Sequence, residues 1–261
     1  MRSTLVRRSV LTASAVSLAL LVTACGSDKA AKDESKDGGA TSAAPSAPAA
    51  DPAAKAKTAA ELKGLLVTQA DLAEYKLKEA GATEVSEAVA ANATTKTECL
   101  PLGAVMSGST PGKPAAGAAT KVSSVPKAPA ADASPEEKLK AITDALKVTV
   151  TMVGLGSYDG NGAQEAFAAV KAAGTACAAG YPGAKEADTG KVTKIAPGAA
   201  VTGGDEAVSF VVERELDGDK APTQLVVVRK GNTLASFYAI APAGEAAQPV
   251  AIVGAQVKKL G

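Results

Sequence analysis

Four runs in the last third of the chain, KVTKIA, EAVSFVVEREL, TQLVVVRKG and TLASFYAIA, do most to narrow what this sequence can fold into. They are rich in Val, Ile, Thr, Phe and Tyr, the residues that fit a pleated surface. DGDKAP and KGN stand between the last three, where hairpin turns belong. Consecutive strands joined by turns this short can only pair antiparallel, because a parallel neighbour needs a crossover of a dozen residues or more. The expectation is a β-meander.

The rest of the chain supplies helices. In SPEEKLKAITDALK, Ser134 caps, Pro135 takes the first helical position and Glu137 completes a capping box. Leu139, Ile142 and Leu146 then fall on one face. Farther on, Phe167, Val170, Gly174 and Cys177 recur at helical spacing, and Gly180 ends that helix. Pro249 opens a last helix with Val250, Val253, Val257 and Leu260 on its apolar side; Lys258 and Lys259 suit its C-terminal dipole. ELKGLL reads as a helical turn. Thr68 and Asp71 read as the cap and acidic first turn of a short helix, followed by the strand YKLKEA. KVTVTMVGL reads as another strand. The stretch 107–134 reads as a flexible loop, with ATKVSSV as a short edge strand inside it. The fold class is α+β: a mainly antiparallel sheet with helices packed on one face.

Composition limits the chemistry. The 261 residues include no histidine and no tryptophan, so a Ser-His-Asp triad and a His-ligated zinc site cannot be built. With three Phe and four Tyr, the core must come from Val, Leu, Ile and Ala. The formal charge is +1, without the basic excess that nucleic acid requires.

The N-terminus carries a basic segment, MRSTLVRRSV, then the apolar run LTASAVSLALLV, then LVTAC. The apolar run is too short for a membrane span of about 20 residues. The segment resembles a bacterial lipoprotein leader. That resemblance makes residues 1–25 a signal peptide with its lipobox and Cys25 the lipidated residue. Arg7 and Arg8 also look like a twin-arginine export signal, so the export route stays open between the two. Two or more acyl chains, such as palmitate, suffice for stable anchoring. The expected location is the outer face of the cell membrane. Residues 26–60 are Ala, Pro, Ser, Gly and mixed charge without apolar periodicity, and read as a disordered tether reaching roughly 30–35 Å. Residues 61–261 are expected to form a single domain. Outside the cytosol thiols oxidise. With Cys25 taken by lipid, Cys99 and Cys177 remain, and they are expected to form one disulfide; two separate buried thiols are the alternative.

The stretch VGLGSYDGNGAQEAF raises the question of a phosphate loop. Gly154, Gly156 and Gly160 give G-x-G-x-x-x-G, one residue off the dinucleotide fingerprint, and no Gly-Lys-Ser/Thr follows. The stretch reads as a strand-to-helix turn, with Asp159 or Asn161 capping and Gln164 closing a box from Asn161. Glu213 and Glu215 share one face of a strand and read as solvated neighbours, not as a glycosidase pair. Asp217-Gly218-Asp219 reads as a turn and lacks the closing Glu of a calcium loop. Arg229 and Lys230 read as flanking a hairpin and keeping the sheet edge soluble, in preference to clamping an anion. Asn92-Ala93-Thr94 matches a glycosylation sequon that a bacterial leader makes irrelevant. No catalytic constellation, cofactor or metal site is expected.

LLVTQADLAEY, ECLPL, LGSYDGNGAQEAFAAVKAAGTACAAG, GDEAVSFVV, VVVRKGNTLASFYA and AAQPVAIVGAQVKKL, in this order, resemble secreted lipoproteins of streptomycetes and related actinobacteria. More distantly, the layout is similar to the extracellular sensor domain of a mycobacterial receptor kinase and its stand-alone lipoprotein relatives. That group has an antiparallel sheet, packed helices, a central cleft and disulfides. The resemblance implies a ligand- or partner-binding role without a reaction. The expected function is an extracytoplasmic binding module for a small amphiphile or envelope component. The alternative is a protein-interaction or sensor-accessory lipoprotein with no small ligand.

Overall fold

The computed structural model describes residues 53–126, 128–145, 148–184, 190–216, 218–242 and 244–261. Cys25, the leader, residues 26–52 of the expected tether, Leu146 and Asp217 lie outside the described residues.

The described chain contains six α-helices and seven strands. In order these are α1 (Ala59–Leu65), β1 (Tyr75–Glu79), α2 (Ala82–Ala91), α3 (Leu100–Met106), β2 (Ala116–Ser124), α4 (Pro135–Ala145), β3 (Val150–Ser157), α5 (Gly162–Ala176), β4 (Lys191–Pro197), β5 (Glu206–Leu216), β6 (Asp219–Lys230), β7 (Thr233–Ile240) and α6 (Val250–Leu260). The strands form one antiparallel sheet in the order β1-β2-β3-β7-β6-β5-β4. The expected meander is therefore β4 to β7. It does not stand alone: β7 pairs with β3, Val153 opposite Phe237, so a second meander, β1 to β3, completes the sheet. α5 carries the chain from the middle of the sheet to its far edge.

The class, the antiparallel sheet and the disulfide are as expected, but the helices cover both faces of the sheet instead of one. The reason is written along β6. Leu225 and Val227 enter a core with Phe167 and Val170 of α5 and Leu102 of α3. Val226 and Val228 enter a second core with Leu62 of α1 and Ile252 and Val253 of α6. A strand apolar on both sides must be covered on both sides.

α1 begins before the expected boundary at Glu61. Thr58 and Glu61 form a reciprocal capping box, and Leu62 is wholly buried. Residues 54–57 are already held: Ala56 N–H donates to Asp159 Oδ1 and Lys57 N–H to Ser157 Oγ, both at 2.9 Å. Gln256 of α6 is buried and ties α1 to α6, accepting from Val67 N–H at 3.0 Å and donating to Leu65 C=O at 2.8 Å. In α6 the buried residues are Ile252, Val253 and Gln256, whereas Val250, assigned to its apolar side, is exposed.

Thr68 and Asp71 form a turn and no helix. Thr68 Oγ1 donates to Asp71 Oδ2 at 2.7 Å, and Lys259 of α6 reaches the same oxygen at 3.1 Å. Hydrogen bonds from Thr68, then Lys259, hold the Asp71 carboxyl down to about 2. The stretch 107–134 is not one loop either. β2 runs through it as a nine-residue strand, paired on both sides and second from the edge. α4 starts on the expected Ser134–Glu137 capping box, yet Leu139 and Ile142 stand exposed at 66% and 63%.

Candidate functional site

β1 ends early. Its pairing with β2 stops at Glu79 opposite Thr120, plus one bond from Ala80 N–H to Ala119 C=O, while β2 continues to Ala116 against β3. Past that point the chain turns away into α2. The outer edge of residues 116–118 is left without a strand, and a groove of about 730 Å³ wraps around it. Under α1 its wall is Leu66, Val67, Leu77, Ala118 and Leu155. Under α2 it is Val85, Val89, Ala119, Ser109 and Thr110. The small residues of β2 leave the space. α2 buries none of its own residues, and its Val85 and Val89 look into the groove. A second cavity of about 490 Å³ adjoins the first and shares Val89, Ser109, Thr110 and Pro114 with it.

The groove is mostly apolar. Its lining carboxylate, Glu79, is paired with Lys63 at 2.7 Å. Lys78 also lines it. The N-terminal end of β2, which carries the groove, lies opposite Ser157, the residue that holds Lys57. The groove and the entry of the N-terminal segment therefore share one end of the sheet.

The glycine-rich stretch has a structural answer. Gly154 and Gly156 lie in β3, not in a loop. A Cβ at Gly154 would strike Gly108 C=O, and one at Gly156 would overlap the Thr110 hydroxyl. These two glycines let segment 108–110 lie flat across the strand, where Ser236 Oγ donates to Ser109 C=O at 2.8 Å. Tyr158 continues the clasp, donating to Pro111 C=O at 2.5 Å, and burial pushes its phenol up to about 12. Asp159 binds the N-terminal segment instead of capping α5, and Asn161 makes no side-chain cap. Gly156→Ala is expected to displace segment 108–110 and cost roughly 1–3 kcal/mol of stability in denaturant titrations. Adding Thr110→Ala should recover part of that loss.

Cys99 and Cys177 are bonded, with Cα atoms 6.0 Å apart and both side chains fully buried. Glu213 and Glu215 are not brought to a cleft. Glu213 takes Lys220 at 3.2 Å and Glu215 takes Lys191 at 3.1 Å, each across a neighbouring strand. Glu213 also accepts from Thr193, which, ahead of Lys220, holds its carboxyl below the usual range. Arg229 departs from expectation. It is 1% exposed and faces Glu206 at 2.6 Å and Asp205 at 3.2 Å, so it neither solubilises an edge nor faces an outside anion. The Asn92 amide donates inward to Ala88 C=O and Ser107 Oγ. Among the described residues no group of three His, Cys, Asp or Glu side chains is placed to hold a metal, and no helix is long and apolar enough to cross a membrane.

Sequence reasoning missed α2, and the cleft that the resemblance implied came without the residues that line it. The signal for the helix was present: Val85 and Val89 stand one turn apart in ATEVSEAVAA, with alanines between. No protein-family model matches the chain, and no curated protein matches it.

Proposed function

We propose that this chain is an extracytoplasmic lipoprotein, held to the outer face of the membrane by lipid on Cys25, that binds a small amphiphile in the groove between α1 and α2. The kinship to actinobacterial lipoproteins belongs to the same proposal. The observation that carries it is the groove, about 730 Å³ with apolar walls on two sides. Sites for small molecules run from about 300 to 1,000 Å³ and are lined mainly by apolar side chains with a few polar groups. The reading assigns it no reaction: its lining carboxylate, Glu79, is paired with Lys63.

Native mass spectrometry of protein extracted from its own membranes tests the reading. The expected result is a co-purifying mass of several hundred daltons. Val89 is 40% exposed on α2, so Val89→Asp should abolish that mass while thermal unfolding stays within a degree or two. Protein recovered empty, with no melting shift on adding long-chain amphiphiles, would refute it.

The alternative, a protein-interaction role, has one observation of its own. α4 holds exposed Leu139 and Ile142 on a helix that buries no residue. Crosslinking from α4 in intact cells would favour it by trapping one partner reproducibly.

A further inference from the structure

Resting on the amphiphile reading above, we infer that the occupant of the groove is an anionic single-chain amphiphile, with its headgroup at Lys78 and its hydrocarbon between α2 and β2.

The charge arrangement points to this class. Lys78 of β1 stands opposite Lys121 of β2, so the two cations are cross-strand neighbours. Two carboxylates lie near them: Glu84 of α2 is bonded to Lys121 and also feels the charge of Lys78, and Glu79 is bonded to Lys63. Among the described residues Lys78 makes no ion pair. Of the two lysines that line the groove, Lys63 is bonded to Glu79, and Lys78 has neighbouring acids whose bonded partners are other lysines. A negative headgroup adds a bonded charge partner there, and a neutral one adds only a hydrogen bond. Beside Lys78 the wall becomes apolar, with Val85 and Val89 facing Ala119. Hydrocarbon laid along that wall would take the inner side of α2 out of water. The volume is that of a drug-sized ligand, which suits one acyl chain and not a two-chain lipid.

The test titrates the full chain with three short-chain probes below their micelle concentrations: lysophosphatidylglycerol, the monoacylglycerol of the same chain length, and glycerol phosphate. The lysophosphatidylglycerol is expected to bind about fivefold tighter than the monoacylglycerol at low salt, the effect of one surface cation on an anionic lipid. That preference should fade at high salt. Lys78→Gln should bring the two affinities within twofold, and Lys78→Arg should keep them apart. Glycerol phosphate should bind far more weakly than either. Equal affinities for the two acylated probes in the unmodified chain would overturn the headgroup assignment and leave the amphiphile reading standing. Glycerol phosphate binding as tightly as lysophosphatidylglycerol would overturn the placement of the chain. Binding of none of the probes would remove both.

Discussion

Opening the Cys99–Cys177 bond, by reductant or by Cys99→Ala with Cys177→Ala, is expected to lower the unfolding free energy by roughly 3–5 kcal/mol. The bond joins the start of α3 to the end of α5 across 78 residues. In the chain-entropy model a loop of that length constrains the unfolded chain by about 4–5 kcal/mol, and residual denatured structure reduces the figure. A domain of this kind has only about 5–15 kcal/mol in total. The core here is built mainly from Val, Leu and Ala, so the cross-link carries a large share. Thermal unfolding should fall by roughly 10–15 °C. The reduced protein and the double variant should coincide in denaturant midpoint. A loss below about 1 kcal/mol would show that α3 and α5 hold together by packing alone.

The second large effect concerns Arg229. Its guanidinium is 1% exposed, and it makes hydrogen bonds to Glu206 at 2.6 Å, Asp205 at 3.2 Å and Gly231 C=O at 3.1 Å. Asp205 in turn accepts from Gly231 N–H at 2.7 Å, so the cluster closes the end of the β6–β7 hairpin against β5. The double variant Asp205→Asn, Glu206→Gln keeps the shapes and removes both negative charges. Arg229 then stays buried without these two negative charges, which is expected to cost about 3–5 kcal/mol at neutral pH. Adding Arg229→Met should recover stability, because no buried charge is left. A triple variant no more stable than the double would mean that the cluster acts through hydrogen-bond geometry and not through charge.

The same arginine marks where sequence reading loses its grip. Arg229 and Lys230 are adjacent cations before a turn, and as letters they are equivalent. The pleat sends one inward and one outward. Only the pairing of β5 with β6, with Glu206 opposite Arg229, places the carboxylates that make burial tolerable. The two-sided core was partly legible. LVVV, residues 225–228, is a continuous apolar run that a half-exposed strand does not need, a signal for cover on both faces that the expectation of helices on one face passed over. β2 was hidden for the opposite reason. AGAATKVSS has low strand propensity; only ATKVSSV read as a strand, and as an edge one, and its place second from the edge, paired on both sides, comes from flanking strands and the packed segment 108–110, not from its own preferences. Gly154 and Gly156 resembled ligand-binding glycines, but close backbone approach selects glycine whether the neighbour is a phosphate or another part of the same chain.

By itself the sequence determined elements whose causes are local: the Ser134–Glu137 cap of α4 and the β4–β7 meander with its turns. Local signals survive because a cap, a turn or a period of two or 3.6 needs only nearby residues. The tertiary structure alone decided that β3 joins β7, that helices cover both faces, and that β1 stops short of β2. The groove follows from that last fact. A cavity is space between elements distant in the chain, and no single stretch of residues encodes it.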